Sequence, residues 1–401
     1  MSPTRFALVA GGGTAGHVQP ALALSRALAR THGPESVELV GSRRGLERTM
    51  LADAGLPLTL LPGRGIKRRL SPRALLDNVV ALAGLALAAV EAVVLVARRR
   101  PRAVVAVGGY AAVPVGLAGA LLGVPVVVVN VDALPGAANR LLGRVARASA
   151  VAWPGTPLPR SVVTGAPLRP EVVAAAGAEP ARPVPDPSAR AALGVPDGTA
   201  LVAVVGGSLG ARRVNEAALA LARRWRGRGD VALYHVVGRR DAAWAAAEWA
   251  HDGAALPGAA APGGSAGLWY RQVEYEAHME TVLRAADVVV SRAGGMTVAE
   301  VAAIGTPALF VPLPGAPGDH QSANARVLVD VGAALLVRDE DCDGARLDAE
   351  LTGLLAEPAR LEAMAKAALA LGRPRATEAV TALVDARARR RRPPAGEGDG
   401  R

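Results

Sequence analysis

Several clusters in this sequence combine residue types that bind phosphates and sugars or move protons. Gly11-Gly12-Gly13-Thr14-Ala15-Gly16-His17 has the spacing G-x-G-x-x-G between an apolar run and a helical pattern. Glycines there let the backbone approach a diphosphate, and a helix N-terminus meets its charge. The same residues also make a plain turn between strand and helix, with His17 merely early in the helix. Alone, the loop does not separate a nicotinamide cofactor from a nucleotide sugar or its acceptor. A dinucleotide site also wants an acid about 20 residues further on. Here the second strand ends Val40-Gly41-Ser42-Arg43-Arg44, so only an NADP form survives, with arginines for the extra phosphate.

A second glycine loop, Gly206-Gly207-Ser208-Leu209-Gly210, also follows an apolar run. Its amides and the Ser208 hydroxyl suit an anion such as a donor phosphate, or the loop is an ordinary turn. The densest cluster is Ser291-Arg292-Ala293-Gly294-Gly295-Met296-Thr297-Val298-Ala299-Glu300. With a helix beginning near Thr297, Thr297 and Glu300 have the spacing of a capping box. The functional alternative for Glu300 is a carboxylate accepting two hydrogen bonds from a ribose diol. Next, Asp319-His320-Gln321-Ser322-Ala323-Asn324 follows a Pro/Gly loop and suits sugar hydroxyls, with Asp319 as a plain N-cap the alternative. Gly108-Gly109-Tyr110 and Pro135-Gly136-Ala137-Ala138-Asn139-Arg140 sit at a strand end and a helix start, as rim or as turn and cap residues. Asp339, Asp341 and Asp343 alternate like an acidic metal motif but read as a solvated loop. No other acidic or histidine cluster has metal spacing, so the expectation is no metal and no cofactor.

The elements that must position these clusters alternate along the chain. Apolar runs at 6–10, 37–40, 58–61, 104–107, 126–129 and 151–152 are separated by helical patterns, as in βαβ units of a parallel sheet. A Pro/Ala-rich stretch over about 174–197 reads as a linker. The alternation then restarts at 201–205, with runs at 231–236, 288–290, 308–311 and 334–337, while 242–267 reads as an insertion or long loop. Both halves begin strand, glycine loop, helix. Two facing doubly wound domains place a ligand at the carboxyl ends of their strands.

Composition agrees with that architecture. The chain has 401 residues, enough for two domains. Hydrophobic residues make up 51% but aromatics only 3%, which favours Ala/Val/Leu cores and argues against nucleic-acid binding by base stacking. One cysteine, Cys342, excludes a disulfide framework and points weakly to a reducing, cytoplasmic compartment. The N-terminus lacks the pattern of a signal peptide. Net charge is +11, partly in Arg387 to Arg392, which begin a tail read as disordered and solubilising. The apolar run 79–90 spans only about 18 Å as a helix against roughly 30 Å of hydrocarbon, so 79–97 reads as a helix covering the sheet. Membrane-surface contact is the second reading, because Lys67, Arg68, Arg69 and Arg73 precede it and Arg98 to Arg100 follow.

Taken together, GGGTAGHVQPALAL, GGYAAVPVGLA, PGAANRLL, VVTGAPLRP, VVGGSLGARRVNEA, SRAGGMTVAE and DHQSANA resemble the MurG family over about 6–370. The family's members transfer N-acetylglucosamine from UDP-N-acetylglucosamine (UDP-GlcNAc) to undecaprenyl-diphospho-muramoyl-pentapeptide. The resemblance implies an α/β fold of two facing Rossmann-like domains, the GT-B type of glycosyltransferase. It implies an acceptor-side and membrane-side domain over 1–168, a linker region at 169–198, a UDP-sugar domain at 199–372, and a C-terminal helix with a basic tail at 373–401. It implies an inverting reaction, peripheral attachment to the cytoplasmic face of the membrane, and no nucleic-acid partner.

Carried over by position, Ser208 contacts a phosphate, Glu300 the ribose diol, Gln321 the N-acetylglucosamine hydroxyls, and Arg169 the nucleotide. Met296 and Thr297 line the donor site. In the first loop Thr14, Ala15 and Gly16 are implied as UDP-GlcNAc-binding residues, while Thr14 and His17 also match positions toward the acceptor diphosphate, with His17 the candidate base. The chain departs from the family at Val129-Asn130-Val131-Asp132, where a family asparagine near the reacting sugar is Asp132, itself a candidate base and donor ligand. Ala166 and Leu209 replace a further asparagine and a glutamine. The altered segment keeps open a different acceptor, such as a secondary metabolite or another glycolipid. A non-catalytic nucleotide-sugar binder and an NADP oxidoreductase are the other readings.

Overall fold

The computed structural model describes residues 5–12, 15–43, 55–62, 72–177, 185–207, 210–250 and 267–389. Two compact units divide them. The first comprises residues to Val131, then Pro135–Arg169 and the segment from Arg375; the second comprises Asp132–Leu134 and Pro170–Pro374.

In the first unit, valine-rich and alanine-rich runs form seven strands: β1 (Ala7–Gly11), β2 (Val37–Ser42), β3 (Leu58–Leu61), β4 (Ala103–Gly108), β5 (Val126–Asn130), β6 (Ala148–Val151) and β7 (Ser161–Val163). All pair in parallel, in the order β3-β2-β1-β4-β5-β6-β7. Side chains alternate between the two faces of each strand. Ala7, Val9, Val105 and Val127 therefore pack with Val18, Leu24 and Leu28 of helix Ala15–His32, and with Val380 and Val384 of helix Ala376–Arg387. Leu8, Ala10, Val104 and Val126 face the other way, onto Ala88, Ala92 and Val96 of helix Pro72–Arg99 and Val115 of helix Ala112–Leu121. The 79–97 stretch thus covers the sheet as expected, and among the described residues no helix is long and apolar enough to cross a membrane.

The second unit repeats the plan with β8 (Ala200–Val205), β9 (Val231–Val236), β10 (Trp269–Val273), β11 (Val288–Ser291), β12 (Ala308–Phe310) and β13 (Ala334–Leu336), all parallel, in the order β10-β9-β8-β11-β12-β13. Val202, Val204, Val288 and Val290 pack with Val214, Leu221, Leu347 and Leu351.

Two expectations need correction. The Ala/Trp-rich start of the supposed 242–267 loop is a helix, Ala242–Ala250, because Ala245 and Trp249 fall on one face and are buried, Trp249 edge-on to Tyr270 with centroids 4.5 Å apart. Within the supposed linker, helix Pro187–Leu193 is part of the second unit. Asp186 caps it, and Arg190 pairs with Asp287 at 3.0 Å.

Candidate active site

In each sheet the strand order reverses between two neighbours, β1/β4 in the first unit and β8/β11 in the second. Beyond the carboxyl ends of such strands the connections diverge to opposite faces and leave a crevice. The glycine clusters lie at these two points.

At β1/β4, the Gly12 amide donates to the Gly108 carbonyl at 3.3 Å. Gly109 has φ +78°, and a Cβ there would collide with the Gly12 carbonyl, so this close approach of the two loops requires glycine at 109. Helix Ala15–His32 starts here and brings Ala15, Gly16 and His17 into its first turn. The half-buried His17 ring lies over Gly108, where a Cβ would stand 2.8 Å from its Cδ2. Asn139 is buried beside it and donates to the Val129 carbonyl (3.2 Å) and to Asn130 Oδ1 (3.0 Å). Asn130, part of the departing segment, is thereby held inside the fold. Tyr110 is half-buried with its hydroxyl enclosed, and burial raises its pKa. Thr14 lies outside the described residues.

At β8/β11 the assignment of Glu300 changes. Helix Gly295–Ile304 begins two residues before Thr297, and its N-cap is Gly294, which makes no side-chain cap. Thr297 is the helix's third residue, so the capping-box reading of Thr297 and Glu300 fails. The first helical amides, those of Gly295, Met296 and Thr297, have no intrahelical acceptor by position, and the helix dipole adds positive potential. Half-buried Met296, Thr297 and Glu300 follow along this helix. Gln321, in the first turn of helix His320–Val329, accepts the Leu313 amide at 2.9 Å through Oε1, which shapes the Pro/Gly loop. Asp319 does not cap that helix; it has φ +52° and accepts from Ser322 Oγ at 2.7 Å.

Asp132 belongs to this same site. Fully buried Asn324 donates to Asp132 Oδ1 (2.9 Å) and to the Ala293 carbonyl (3.1 Å), and its Oδ1 accepts the Ala133 amide (2.7 Å). Asp132 Oδ1, Gln321 and the start of helix Gly295–Ile304 are thus gathered in the second unit, whereas His17 and Arg169 belong to the first. Ser208 lies outside the described residues.

In the acidic triplet Asp341 and Asp343 are exposed as expected, whereas Asp339 is half-buried, and all three have partners. Asp339 pairs with Arg292 at 2.5 Å, Asp341 with Arg338 at 2.8 Å, and Asp343 caps helix Gly344–Leu355 through the Arg346 amide. Arg292 also donates to the Val311 and Pro312 carbonyls, which ties the loop after β11 to the end of β12.

Behind the second glycine loop lies a polar network that sequence reading missed. Asn215 Nδ2 donates to the Val237 carbonyl and to Asp241 Oδ2, at 3.0 and 3.1 Å. Buried Asp241 also pairs with Arg240 and Arg212, and Arg240 reaches the Gly210 carbonyl at 3.1 Å. The Arg240 hydrogen bond foremost holds the Asp241 carboxyl below its usual range. Asn215 Oδ1 must then accept, so His235, 3.1 Å away, presents Nε2–H to it, and its Nδ1 lies 2.9 Å from Tyr270 Oη. Burial pushes the His235 pKa down to about 3, so the ring is neutral.

A group whose folded pKa lies below its unfolded value stabilises the fold fully above the unfolded pKa and loses that contribution as pH falls. From about pH 6.5 toward about 3, His235 is expected to remove up to ~1.4 kcal/mol of stability per pH unit. Denaturant titrations at several pH values should show a shallower acid dependence in His235→Gln, and an unchanged slope would refute the assignment.

The chain is similar to known proteins in sequence and in fold. A model described as the glycosyltransferase family 28 N-terminal domain matches residues 7–151, and one described as the C-terminal domain of that family matches 201–380. A protein of Desulforudis audaxviator (strain MP104C), named UDP-N-acetylglucosamine--N-acetylmuramyl-(pentapeptide) pyrophosphoryl-undecaprenol N-acetylglucosamine transferase, is 36% identical over 94% of this chain and 97% of its own length. A protein of Streptomyces coelicolor with the same name is 35% identical over 96% of this chain and 99% of its own. The crystal structure of Acinetobacter baumannii MurG superposes with a TM-score of 0.72 at 29% identity, covering 96% of this chain and 100% of that one. A Neisseria meningitidis UDP-GlcNAc 2-epimerase, at TM-score 0.61 and 13% identity over 94% and 99% of the two chains, shares the fold alone.

Proposed function

This chain belongs to the MurG branch of glycosyltransferase family 28, with two Rossmann-like α/β domains of the GT-B class, and from that membership and the geometry of the second unit we infer that it moves N-acetylglucosamine from UDP-GlcNAc to a lipid-linked muramoyl-pentapeptide. One observation carries the donor half of this reading. At the β8/β11 reversal, helix Gly295–Ile304 begins after its N-cap Gly294 without a side-chain cap and carries Met296 and Thr297 in its first turn and Glu300 in its second.

In this reading an acceptor hydroxyl attacks the anomeric carbon from the face opposite UDP. Negative charge grows on the departing diphosphate, and amides already aimed at it stabilise that charge without reorganising. Glu300 accepts from the ribose diol, Gln321 and Asp132 meet sugar hydroxyls, Met296 and Thr297 line the pocket, and Arg169 with Ser208 serves the nucleotide. In the first unit Thr14 and His17 meet the acceptor diphosphate, and His17 removes the hydroxyl proton. UDP release should therefore require both UDP-GlcNAc and the lipid acceptor. Release that proceeds equally without the lipid, or not at all with it, would defeat the proposal.

The membrane surface enters this reading as the place where the lipid acceptor resides. Leu87, Val90 and Val94 form one exposed stripe of helix Pro72–Arg99, and Leu117 and Leu121 lie exposed on the adjoining helix Ala112–Leu121. Exposed Arg98, Arg140 and Arg144 stand on or at the ends of helices of this same unit. Apolar side chains with cations beside them suit the boundary of an anionic leaflet. Of the basic residues noted beforehand, Lys67, Arg68 and Arg69 lie outside the described residues, as does the tail from 390. The double substitution Val90→Asp/Leu121→Asp should weaken co-sedimentation with anionic vesicles at least tenfold and leave UDP binding intact. Equal sedimentation of variant and parent would remove this surface from consideration.

A second reading keeps the donor and changes the acceptor. The replacement of the family's segment by Val129-Asn130-Val131-Asp132 favours it. Turnover on a soluble aglycone with none on the lipid would establish that alternative.

A further inference from the structure

Asn324 is wholly buried, yet both of its N–H donors and its carbonyl oxygen are engaged. A buried amide so used costs little only while every partner stays in place. Its partners come from two other segments. One is 132–133, just after β5 and, at Asp132, 192 residues from Asn324 in sequence; the other is Ala293, just before the Gly294 N-cap. A single side chain therefore fixes the Asp132 carboxylate against the loop that sets the first amides of helix Gly295–Ile304. Gln321 stands one turn earlier on the helix that carries Asn324.

We propose that Asn324 is a positioning residue for the donor sugar, holding Asp132 as a fixed hydrogen-bond acceptor for a sugar hydroxyl. The proposal rests on the reading of this site as a nucleotide-sugar pocket. Asn324 itself is too deeply buried to touch a ligand and acts through Asp132. The pairing is directional, because Asp132 only accepts when ionised and the Asn324 amide donates to it. An acid at 324 would face Asp132 as a like charge and deprive the Ala293 carbonyl of its donor. Exchanging the pair restores a donor at 132 and an acceptor at 324.

Calorimetric titration of the full chain with UDP and, separately, UDP-GlcNAc tests this. Asn324→Asp should weaken UDP-GlcNAc binding about tenfold or more while leaving UDP binding within twofold, since the sugar alone is mispositioned. The double variant Asp132→Asn/Asn324→Asp should regain at least threefold. If Asn324→Asp does not fold, Asn324→Ala, which adds no charge, should show the same split between the two ligands. Parallel loss of UDP affinity would reduce Asn324 to a structural role and overturn the proposal. So would undiminished UDP-GlcNAc binding in the single variant, or a double variant no better than the single. Turnover is read separately: a parent protein that binds UDP-GlcNAc but transfers nothing to the lipid defeats the transferase reading and leaves this one standing.

Discussion

Replacing Glu300 by alanine is expected to lower kcat/KM for UDP-GlcNAc by about two to three orders of magnitude. A carboxylate accepting from both hydroxyls of a ribose makes two charge-assisted hydrogen bonds, each worth about 1.5–3 kcal/mol. Losing roughly 3–4 kcal/mol of that total corresponds to the stated range, at 1.36 kcal/mol per tenfold. Glu300→Gln keeps an acceptor without the charge and should fall between parent and alanine variant. Glu300 sits in the second turn of a helix whose N-cap is Gly294, so the loss is expected in donor use and is separated from any loss of stability by measurement. Steady-state kinetics with both substrates, beside a thermal melt, provide the check. Near-normal kinetics would take Glu300 out of the donor site, and a large fall in melting temperature would assign it to the fold.

How much of this was legible beforehand follows from where the information resides. Val104 to Val107 and Val288 to Val290 announce themselves because a strand buried on both faces is a continuous apolar run. Ser161–Val163 and Trp269–Val273 do not: the first is exposed, and the second carries Arg271 and Gln272 on the outer strand of its sheet. The glycine loops were readable as loops, but the helix start beside the third cluster was not. Gly295 begins its helix two residues ahead of Thr297, which rules out the cap among the two roles that spacing left open. Asp339 looked solvated because its partner, Arg292, is remote in sequence. The same reason hides Asn324 and the Asn215–His235–Asp241 network. Each is an ordinary polar residue in a helix, a strand or a turn until the fold brings a distant partner against it. Residue type and spacing report what a loop is able to bind, whereas the side chains that brace it become visible only in three dimensions.

Removing the His17 imidazole is expected to slow the transfer step by about 10²–10⁴-fold, the range for a lost general base. The ring stands in the first turn of helix Ala15–His32 and lies over Gly108, at the β1/β4 reversal where two glycine loops meet. Two roles suit that place. An imidazole can take the proton of an attacking hydroxyl, or it can donate an N–H to an acceptor phosphate. His17→Gln separates them, since a glutamine amide still donates a hydrogen bond but does not accept a proton at neutral pH. If His17 is the base, glutamine and alanine variants should be similarly slow in single turnover at saturating substrates. The acid limb of the rate profile should also vanish, because a base works only when unprotonated and its removal takes that dependence away. If His17→Gln keeps more than about a third of the parent rate, the ring binds phosphate and the proton leaves by another route. Gly108→Ala gives an independent reading: with φ +119° and a Cβ aimed at the ring, it should displace His17 without deleting it, and so reproduce much of the loss. A Gly108→Ala variant as fast as the parent would mean that the position of the ring over this strand end is immaterial to the reaction.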